Sequence, residues 1–352
     1  MSGGVDSSVA ATLLKEAGFD VIGIFMKFWN PSTSLRTSLL RSSEQDSGNR
    51  CCSVESEKLA RLVADQIKIP FYVLNVEKEF KKIVVDYFLK EYKAGNTPNP
   101  CVVCNKEIKF GILIDKALKL GADFVATGHY ARMKNKKLLK GKDKNKDQSY
   151  FLWQLNQKQL SKVLFPVGNY TKTEVRKLAK KFNLPTAQTP ESQEVCFIDD
   201  SANNFLKKYL KTKPGNIIDI NGKTLGKHQG LWFYTIGQRK GLEIPQGPWY
   251  VVSKDFKKNI LVVSKNEKDL LKKELVAKDV NWIFDKEPKL PINAEIKIRY
   301  KSSFAKAKIT KYKKNSVKII FEKPQTAITP GQSVVFYKDQ ELLGGGIIVD
   351  LE

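Results

Sequence analysis

The chain of 352 residues has room for two or three domains at roughly 100–200 residues each. Its 41% hydrophobic and 28% charged content excludes a wholly disordered protein, and no apolar run approaches the ~20 residues that span a bilayer. Lys and Arg number 61 against 37 Asp and Glu, and the net charge of +24 points to polyanionic partners, nucleic acid before membrane, or to a surface simply rich in solvated lysines.

The first segment, Ser2-Gly3-Gly4-Val5-Asp6-Ser7-Ser8, runs straight into an apolar helical pattern ending near Gly18. Two glycines permit a tight turn in which successive N–H groups converge on an anion at a helix N-terminus. Asp6 is placed to hold a Mg²⁺ ion bridging phosphates. The string is neither the Gly-Lys-Ser/Thr phosphate loop nor the dinucleotide GxGxxG.

Strand-like runs follow at 21–26, 71–74 and 124–127, separated by helical patterns at 54–67, 77–93 and 107–120. This alternation predicts a parallel sheet wound with helices on both faces. Residues 30–49, rich in Ser, Thr, Arg and Asn, read as an insertion, and the lysine run at 134–146 as an exposed hairpin or loop. Thr171-Lys172-Thr173-Glu174 carries a capping-box pattern that predicts a helix to about Phe182. Beyond residue 200 turn residues recur, and from about Val276 short alternating strands predict a small β-barrel.

The odd count of five cysteines, Cys51, Cys52, Cys101, Cys104 and Cys196, together with a start that lacks the segments of a secretory leader, predicts reduced thiols in a cytoplasmic protein. Cys51 and Cys52 read as non-catalytic. Cys101-Val102-Val103-Cys104 follows the stiff Thr97-Pro98-Asn99-Pro100, and permits three readings: half a zinc site, a redox pair, or chance. A structural zinc needs four ligands, and with two histidines in the chain no second pair supplies them. Cys104, placed at a helix start, is expected to have a lowered thiol pKa. Cys196, beside Phe197 and Ile198, reads by itself as a core thiol.

The motif SGGVDSS resembles the pyrophosphate-binding loop of the N-type ATP pyrophosphatases. In that family the loop follows a central strand. Here the chain begins at the loop, and the expectation is that the recorded start lies inside a longer reading frame. The match extends, in order, through TPNPxxxCNxxIKF, TGHYAR at 127–132, KDQSYFLW at 146–153, CFI at 196–198, GKHQG at 226–230, YTIGQRKGL at 234–242, Arg299-Tyr300 and PGQ at 330–332. Together these motifs resemble the bacterial tRNA-specific 2-thiouridylases, the MnmA/TrmU family.

The resemblance implies an α/β fold with an N-terminal doubly wound sheet at 1–200, whose first strand is missing, a small central tRNA-contacting domain at 201–272 and a C-terminal β-barrel at 273–352. It implies ATP-dependent 2-thiolation of the wobble uridine of tRNA, a transferase reaction releasing AMP and pyrophosphate. The ATP site falls on Ser2, Gly3, Gly4, Val5, Asp6, Ser7, Ser8, Met26 and Gly128. Cys104 matches the nucleophile and Cys196 the persulfide carrier, with a Cys104–Cys196 disulfide as one outcome of sulfur release. Asn99, Pro100 and Cys101 would face the target base, and His129, Gln148, Ser149, Tyr150, Arg299, Tyr300 and Gln332 would touch tRNA.

Cys101 stands where many members carry an Asp assigned as general acid/base. Three thiols at 101, 104 and 196 also open the alternative of a [4Fe–4S] cluster. Tyr130, Tyr150 and Tyr300 are candidate platforms for splayed RNA bases. The sulfur donor would be a persulfide relay protein or a cysteine desulfurase, with no membrane partner. Competing readings are a ligase on the same fold, like GMP synthetase or argininosuccinate synthetase, and a non-catalytic RNA-binding derivative. The paired cysteines count against the first, and intact Asp6, Cys104 and Cys196 against the second.

Overall fold

The computed structural model describes residues 1–31, 53–190, 195–198 and 200–350. The expected insertion lies almost wholly outside the described residues, as do Cys51 and Cys52. The chain forms two compact units, Met1–Val85 with Pro100–Ser201 and Gln340–Leu342, and Asp86–Asn99 with Ala202–Asp339 and Leu343–Glu352.

The first unit is α/β. Helix α1 (Val5–Glu16) leads into strand β1 (Gly23–Lys27), helix α2 (Val54–Gln66) and strand β2 (Phe71–Asn75). β1 and β2 pair in parallel, from Gly23 opposite Phe71 to Lys27 opposite Asn75. A second parallel pair joins β3 (Val125–Ala126) to β6 (Val163–Leu164). Parallel pairing needs a crossover, which includes α2 for the first pair and runs through residues 127–162 for the second. Among the described residues the alternation is thus realised as two short parallel ladders rather than one continuous sheet.

Helix α3 (Lys172–Lys181) starts where the sequence places it. The Thr171 hydroxyl accepts from the Glu174 N–H, and the Glu174 carboxylate accepts in return from the Thr171 N–H. That reciprocal cap satisfies N–H groups that a helix start otherwise leaves open. The helix ends at Phe182, with Asn183 at φ +53°. Val5, Val9 and Ala10 of α1 share one core with Val63 of α2, Val175 and Ala179 of α3, and Tyr130. The small side chains of α1 let α3 approach the start of the glycine loop.

The lysine-rich hairpin is present, slightly earlier than expected. β4 (Ala131–Lys134) pairs antiparallel with β5 (Lys137–Lys140) across Asn135-Lys136, both at positive φ. Two left-handed residues match the right-handed twist of a tight hairpin.

The region expected as a plain helix over 107–120 begins at Pro100. A short helix, Pro100–Val103, opens on proline, which is favoured at a first helical position. It is followed by a π-helical stretch, Cys104–Ile112, and by an α-helical end, Leu113–Lys119. The Gln159 amide donates to the carbonyls of Lys106 and Phe110, at 3.1 and 2.8 Å. External donors of this kind stabilise the wider turn, a geometry enriched at functional sites.

In the second unit, β7 (Gly215–Asp219), β8 (Thr224–His228), β9 (Tyr250–Asp255) and β10 (Ile260–Ser264) form a sheet in the order β8-β7-β10-β9. The strands β11 (Leu271–Trp282), β12 (Ile292–Lys297), β13 (Ala305–Lys311), β14 (Ser316–Thr326), β15 (Ser333–Lys338) and β16 (Glu341–Val349) run in the order β11-β14-β13-β12-β15-β16. Pairing of β11 with β16 closes the ring into a six-stranded barrel. Alternate residues such as Ala307 and Ile309 of β13 and Ile296 of β12 fill its interior with Phe321 and Phe336. Among the described residues no helix is long and apolar enough to cross a membrane.

Candidate functional site

The glycine loop is a tight turn at the start of α1. Gly3 has φ +71°, and a β-carbon there would lie 2.3 Å from the Ser56 carbonyl oxygen, so the position admits only glycine. The hydroxyls of Ser7 and Ser8 both donate to the Gly4 carbonyl at 3.0 Å, while the Ser2 N–H donates to Ser7 Oγ at 3.1 Å. The turn is thus closed on itself by its own serines. Gly128 packs directly on this turn: a β-carbon there would come within 2.8 Å of the Asp6 carbonyl carbon and the Ser7 nitrogen. Met26, half-buried on β1, belongs to the same unit.

Asp6 is engaged more deeply than the sequence suggests. Lys172 Nζ lies 2.8 Å from each carboxylate oxygen, and the Tyr130 hydroxyl donates to Oδ1 at 2.7 Å. Lys172 is buried, although it is the first residue of α3. Sequence reasoning reads Lys172 only as a position inside a capping box. The pairing spans 166 positions, and no local pattern signals it.

Cys101, Cys104 and Cys196 lie within the first unit, and none of the three is in a disulfide. Cys104 lies one turn into the helix that opens at Pro100, not at its first position, and is buried. Burial pushes its thiol up to about 11, and nearby Cys101 adds to the rise. The charge of Lys109 opposes it without winning. The expected lowering by a helix end is thus overturned: desolvation of the thiolate outweighs the helix dipole. Lys109, half-buried, stands five residues beyond Cys104 in the π-helical stretch, where i→i+5 bonding brings such residues onto one face.

Cys196 is half-buried in a turn closed by the Ile198 N–H on the Val195 carbonyl at 3.0 Å. Its neighbour Phe197 meets Phe80 edge-on at 5.8 Å between ring centres. The short helix containing Phe80, Glu77–Phe80, packs against the Cys104-bearing stretch, so one element supports both cysteine segments. Among the described residues no three His, Cys, Asp or Glu side chains gather to hold a metal ion. Cys101, Cys104 and Cys196 are thus not gathered as a ready donor set among the described residues. The arrangement lends no support to the alternative of a [4Fe–4S] centre.

His129 is half-buried, with Nδ1 2.8 Å from Thr127 Oγ1 and its ring beside Phe110 and Phe165. Desolvation, helped by Lys109, holds its pKa well below the usual histidine value, so it is neutral at pH 7. Gln148 is half-buried and accepts from the Tyr130 N–H, whereas Ser149 and Tyr150 are completely buried. Tyr130 is 2% exposed and Tyr150 0%, so neither offers a face for an RNA base, contrary to the expectation. Both rings carry more apolar surface than hydroxyl, and burying it outweighs exposure.

Asn99, Arg299, Tyr300 and Gln332 belong to the second unit. Gln332 donates to the carbonyls of Thr97 at 2.8 Å and Pro98 at 3.4 Å, and the Thr97 and Thr235 hydroxyls meet at 3.1 Å. Lys254 donates to the carbonyls of Gly95 and Tyr234, and burial lowers its pKa to about 8. Thr235 and Lys254 as anchors of the 95–98 loop are not apparent from the sequence. Arg299 is exposed, and Tyr300 is half-buried with the Lys297 ammonium 5.7 Å from its ring centre.

Family models match the chain throughout: a tRNA methyl transferase HUP domain over residues 1–200, a tRNA methyl transferase PRC-barrel domain over 203–265 and an aminomethyltransferase β-barrel domain over 272–348. Among curated proteins, the tRNA-specific 2-thiouridylase MnmA of Carboxydothermus hydrogenoformans is 46% identical over 99% of this chain and 96% of its own length. That of Alkaliphilus oremlandii is 47% identical over 99% and 95%. The protein named MnmA 2 of Geobacillus kaustophilus is 45% identical over 99% and 93%. The chain belongs to the tRNA-specific 2-thiouridylase family. With family membership fixed, the resemblance drawn from ordered motifs holds, as does the mixed α/β fold with a small central domain and a closed C-terminal barrel.

Proposed function

We propose that this protein is an ATP-dependent tRNA-uridine 2-sulfurtransferase acting on the wobble uridine. The observation that carries the reading is that two cysteines outside any disulfide and supported by one element, Cys104 and Cys196, lie in the same compact unit as the glycine loop. A ligase on this fold has no use for such a pair.

In this reading the loop Ser2–Ser8, with Met26 and Gly128, binds ATP. The uridine O2 attacks the α-phosphorus, an O–P bond forms, and pyrophosphate leaves. The adenylated oxygen is then a good leaving group. The terminal sulfur of a Cys196 persulfide attacks C2 of the base and AMP departs. Cys104 sulfur next attacks Cys196 sulfur, which frees the thiolated base and leaves a Cys104–Cys196 disulfide for an external thiol to reduce. The pKa near 11 makes Cys104 a thiol in the free protein, so substrate docking must expose it or supply a proton acceptor before that step. Neutral His129 carries an imidazole able to take that proton, and Cys101, which replaces the usual Asp, could do so only as its thiolate.

Mg²⁺ would enter with ATP, held by phosphate oxygens and water as is usual for this ion. Asp6 reaches it only by releasing Lys172. Asn99, Pro100 and Cys101 would face the base. His129, Gln148, Arg299, Tyr300 and Gln332 are assigned to tRNA contact, while buried Ser149 and Tyr150 would shape the turn that presents Gln148. The persulfide would come from a sulfur relay protein or a cysteine desulfurase. The test is nucleoside mass spectrometry of tRNA after incubation with ATP and a persulfide donor. Wild type should form 2-thiouridine, and Cys104→Ser and Cys196→Ser should form none; product from both variants would overturn the assignment.

A further inference from the structure

Cys101-Val102-Val103-Cys104 holds a thiol that the sulfur-transfer steps leave without a covalent part. Cys101 and Cys104 stand three residues apart on one continuous helical run, from Pro100 through Ile112. Three residues advance a helix by about 4.5 Å and bring their Cα atoms to about 5 Å. That separation lies inside the range of about 4.4–6.8 Å over which a disulfide closes. Their closeness also shows electrostatically, since Cys101 adds to the rise in the Cys104 pKa.

The two thiols differ in what reaches them. Cys104 is buried, at 6% exposure, whereas Cys101 is half-buried and is the second residue of its helix. First-turn N–H groups have no intrahelical acceptor, so Cys101 shifts toward Cys104 without giving up a helical N–H bond of its own. An accessible thiol three residues before a buried one suits disulfide exchange: the outer sulfur meets solvent and reductant, and the inner one is shielded from both. Each turnover of the proposed reaction ends on a Cys104–Cys196 disulfide, in which Cys196 cannot take up another persulfide. A thiol held beside that bond acts at an effective concentration far above that of a dissolved one.

We propose that Cys101 is a third catalytic thiol, which returns Cys196 to its free state. The Cys101 thiolate attacks the Cys104 sulfur, and a Cys101–Cys104 bond forms as the Cys104–Cys196 bond breaks. The electron pair leaves on Cys196, which takes a proton from water to replace the one that Cys101 gave up. One disulfide is exchanged for another and no oxidant is consumed. The external thiol that the reaction already uses then reduces the Cys101–Cys104 pair. The inference rests on the proposed persulfide chemistry and adds to it the step that frees the carrier.

The test is one turnover of tRNA with ATP on protein whose Cys196 carries a persulfide, with the donor removed and reductant omitted. Acid quenching, alkylation of the remaining thiols and tryptic mass spectrometry locate the disulfide. Cys101 and Cys104 share peptide 94–106, and Cys196 is the one cysteine of peptide 182–207. Wild type should show peptide 94–106 lighter by two hydrogens, with Cys196 alkylated, in at least fivefold excess over the two peptides cross-linked. Cys101→Ser should reverse that ratio whatever its rate, because only the Cys104–Cys196 bond is left to form. A second addition of donor without reductant should load Cys196 at least fivefold more in wild type than in Cys101→Ser. Wild type that accumulates the cross-linked peptides, or ends with all three thiols alkylated, would overturn the proposal. So would a Cys101–Cys104 bond that forms equally without ATP. The wild-type result decides alone if Cys101→Ser does not fold. Counting 2-thiouridine in the same samples separates the two readings: product with the wrong disulfide sinks only the role of Cys101, whereas wild type that forms no product sinks the persulfide chemistry beneath it.

Discussion

Gly128 lies against the first turn of α1 so closely that a β-carbon on it would come within 2.8 Å of the Asp6 carbonyl carbon. The contact is backbone on one side, so the neighbour cannot swing away as a flexible side chain would. Gly128→Ala must displace the turn or the 127–129 segment. The expected result is a loss of about 1–3 kcal/mol in stability, with a fall in ATP affinity larger than the stability change explains. Thermal melting and nucleotide titration of the same variant check it; unchanged ATP affinity would separate Gly128 from the cradle.

Burial of Cys104 sets a pH signature. With its pKa raised to about 11, the folded thiol holds its proton where a free cysteine loses it. Iodoacetamide modification of Cys104 in the free protein should therefore be slow at pH 7.5 and rise about tenfold per pH unit until the thiol titrates. The folded state binds the extra proton only between the ordinary value of 9.0 and about 11. Its contribution to stability is thus present below pH 9 and disappears as pH rises through 11. Peptide mass spectrometry resolves the site; fast labelling at pH 7.5 would mean an activated thiolate.

Local chemistry was legible in the sequence, and chemistry between distant residues was not. The capping box at Thr171, the glycine turn at Gly3 and the alternation of β13 act over a few positions, and each reads correctly. The Cys104 segment misleads because Pro100 is both a loop stiffener and a favoured helix opener, and the helix starts one turn earlier than expected. A π-helical stretch leaves no mark in apolar spacing, since it depends on Gln159 reaching two carbonyls from about fifty residues away. Tyr130 and Tyr150 lie in motifs that look surface-directed, yet their rings complete the core. Lys172 escapes notice because a lysine at a helix start usually faces water.

His228 offers a second pH test, in the second unit. It is 1% exposed, its Nε2 lies 3.2 Å from the Asn259 carbonyl, and Nδ1 has no partner. Desolvation lowers its pKa despite that hydrogen bond. The unfolded chain therefore takes up a proton near pH 6.5 that the folded chain resists, and stability falls as pH drops below that point. His228→Gln keeps a donor for the carbonyl and cannot titrate. Its melting temperature should decline less than that of wild type between pH 7 and 5; equal slopes would assign the acid sensitivity elsewhere, with His129 the next group to test.

Excess charge makes a prediction about RNA. If lysines such as those in 134–146, 207–213 and 301–314 track phosphates, each neutralised phosphate releases counterions, and affinity falls with salt. Filter binding of tRNA at 50 and 200 mM KCl should show at least a tenfold weakening. A flat response would return the +24 charge to ordinary solvation.

Gln332 separates two roles that the family resemblance merges. Its amide donates to the Thr97 and Pro98 carbonyls, so it anchors the loop before Asn99 whether or not it also touches tRNA. Gln332→Ala removes those bonds and should cost about 1–2 kcal/mol. Gln332→Glu should cost more, because a carboxylate then faces two carbonyl oxygens with no proton to offer. A side chain whose sole duty is tRNA contact would give the opposite pattern: both variants would melt like wild type, and only tRNA affinity would drop. Melting and tRNA binding measured side by side on the two variants distinguish an anchor from a contact, since only the anchor makes glutamate worse than alanine in the absence of RNA.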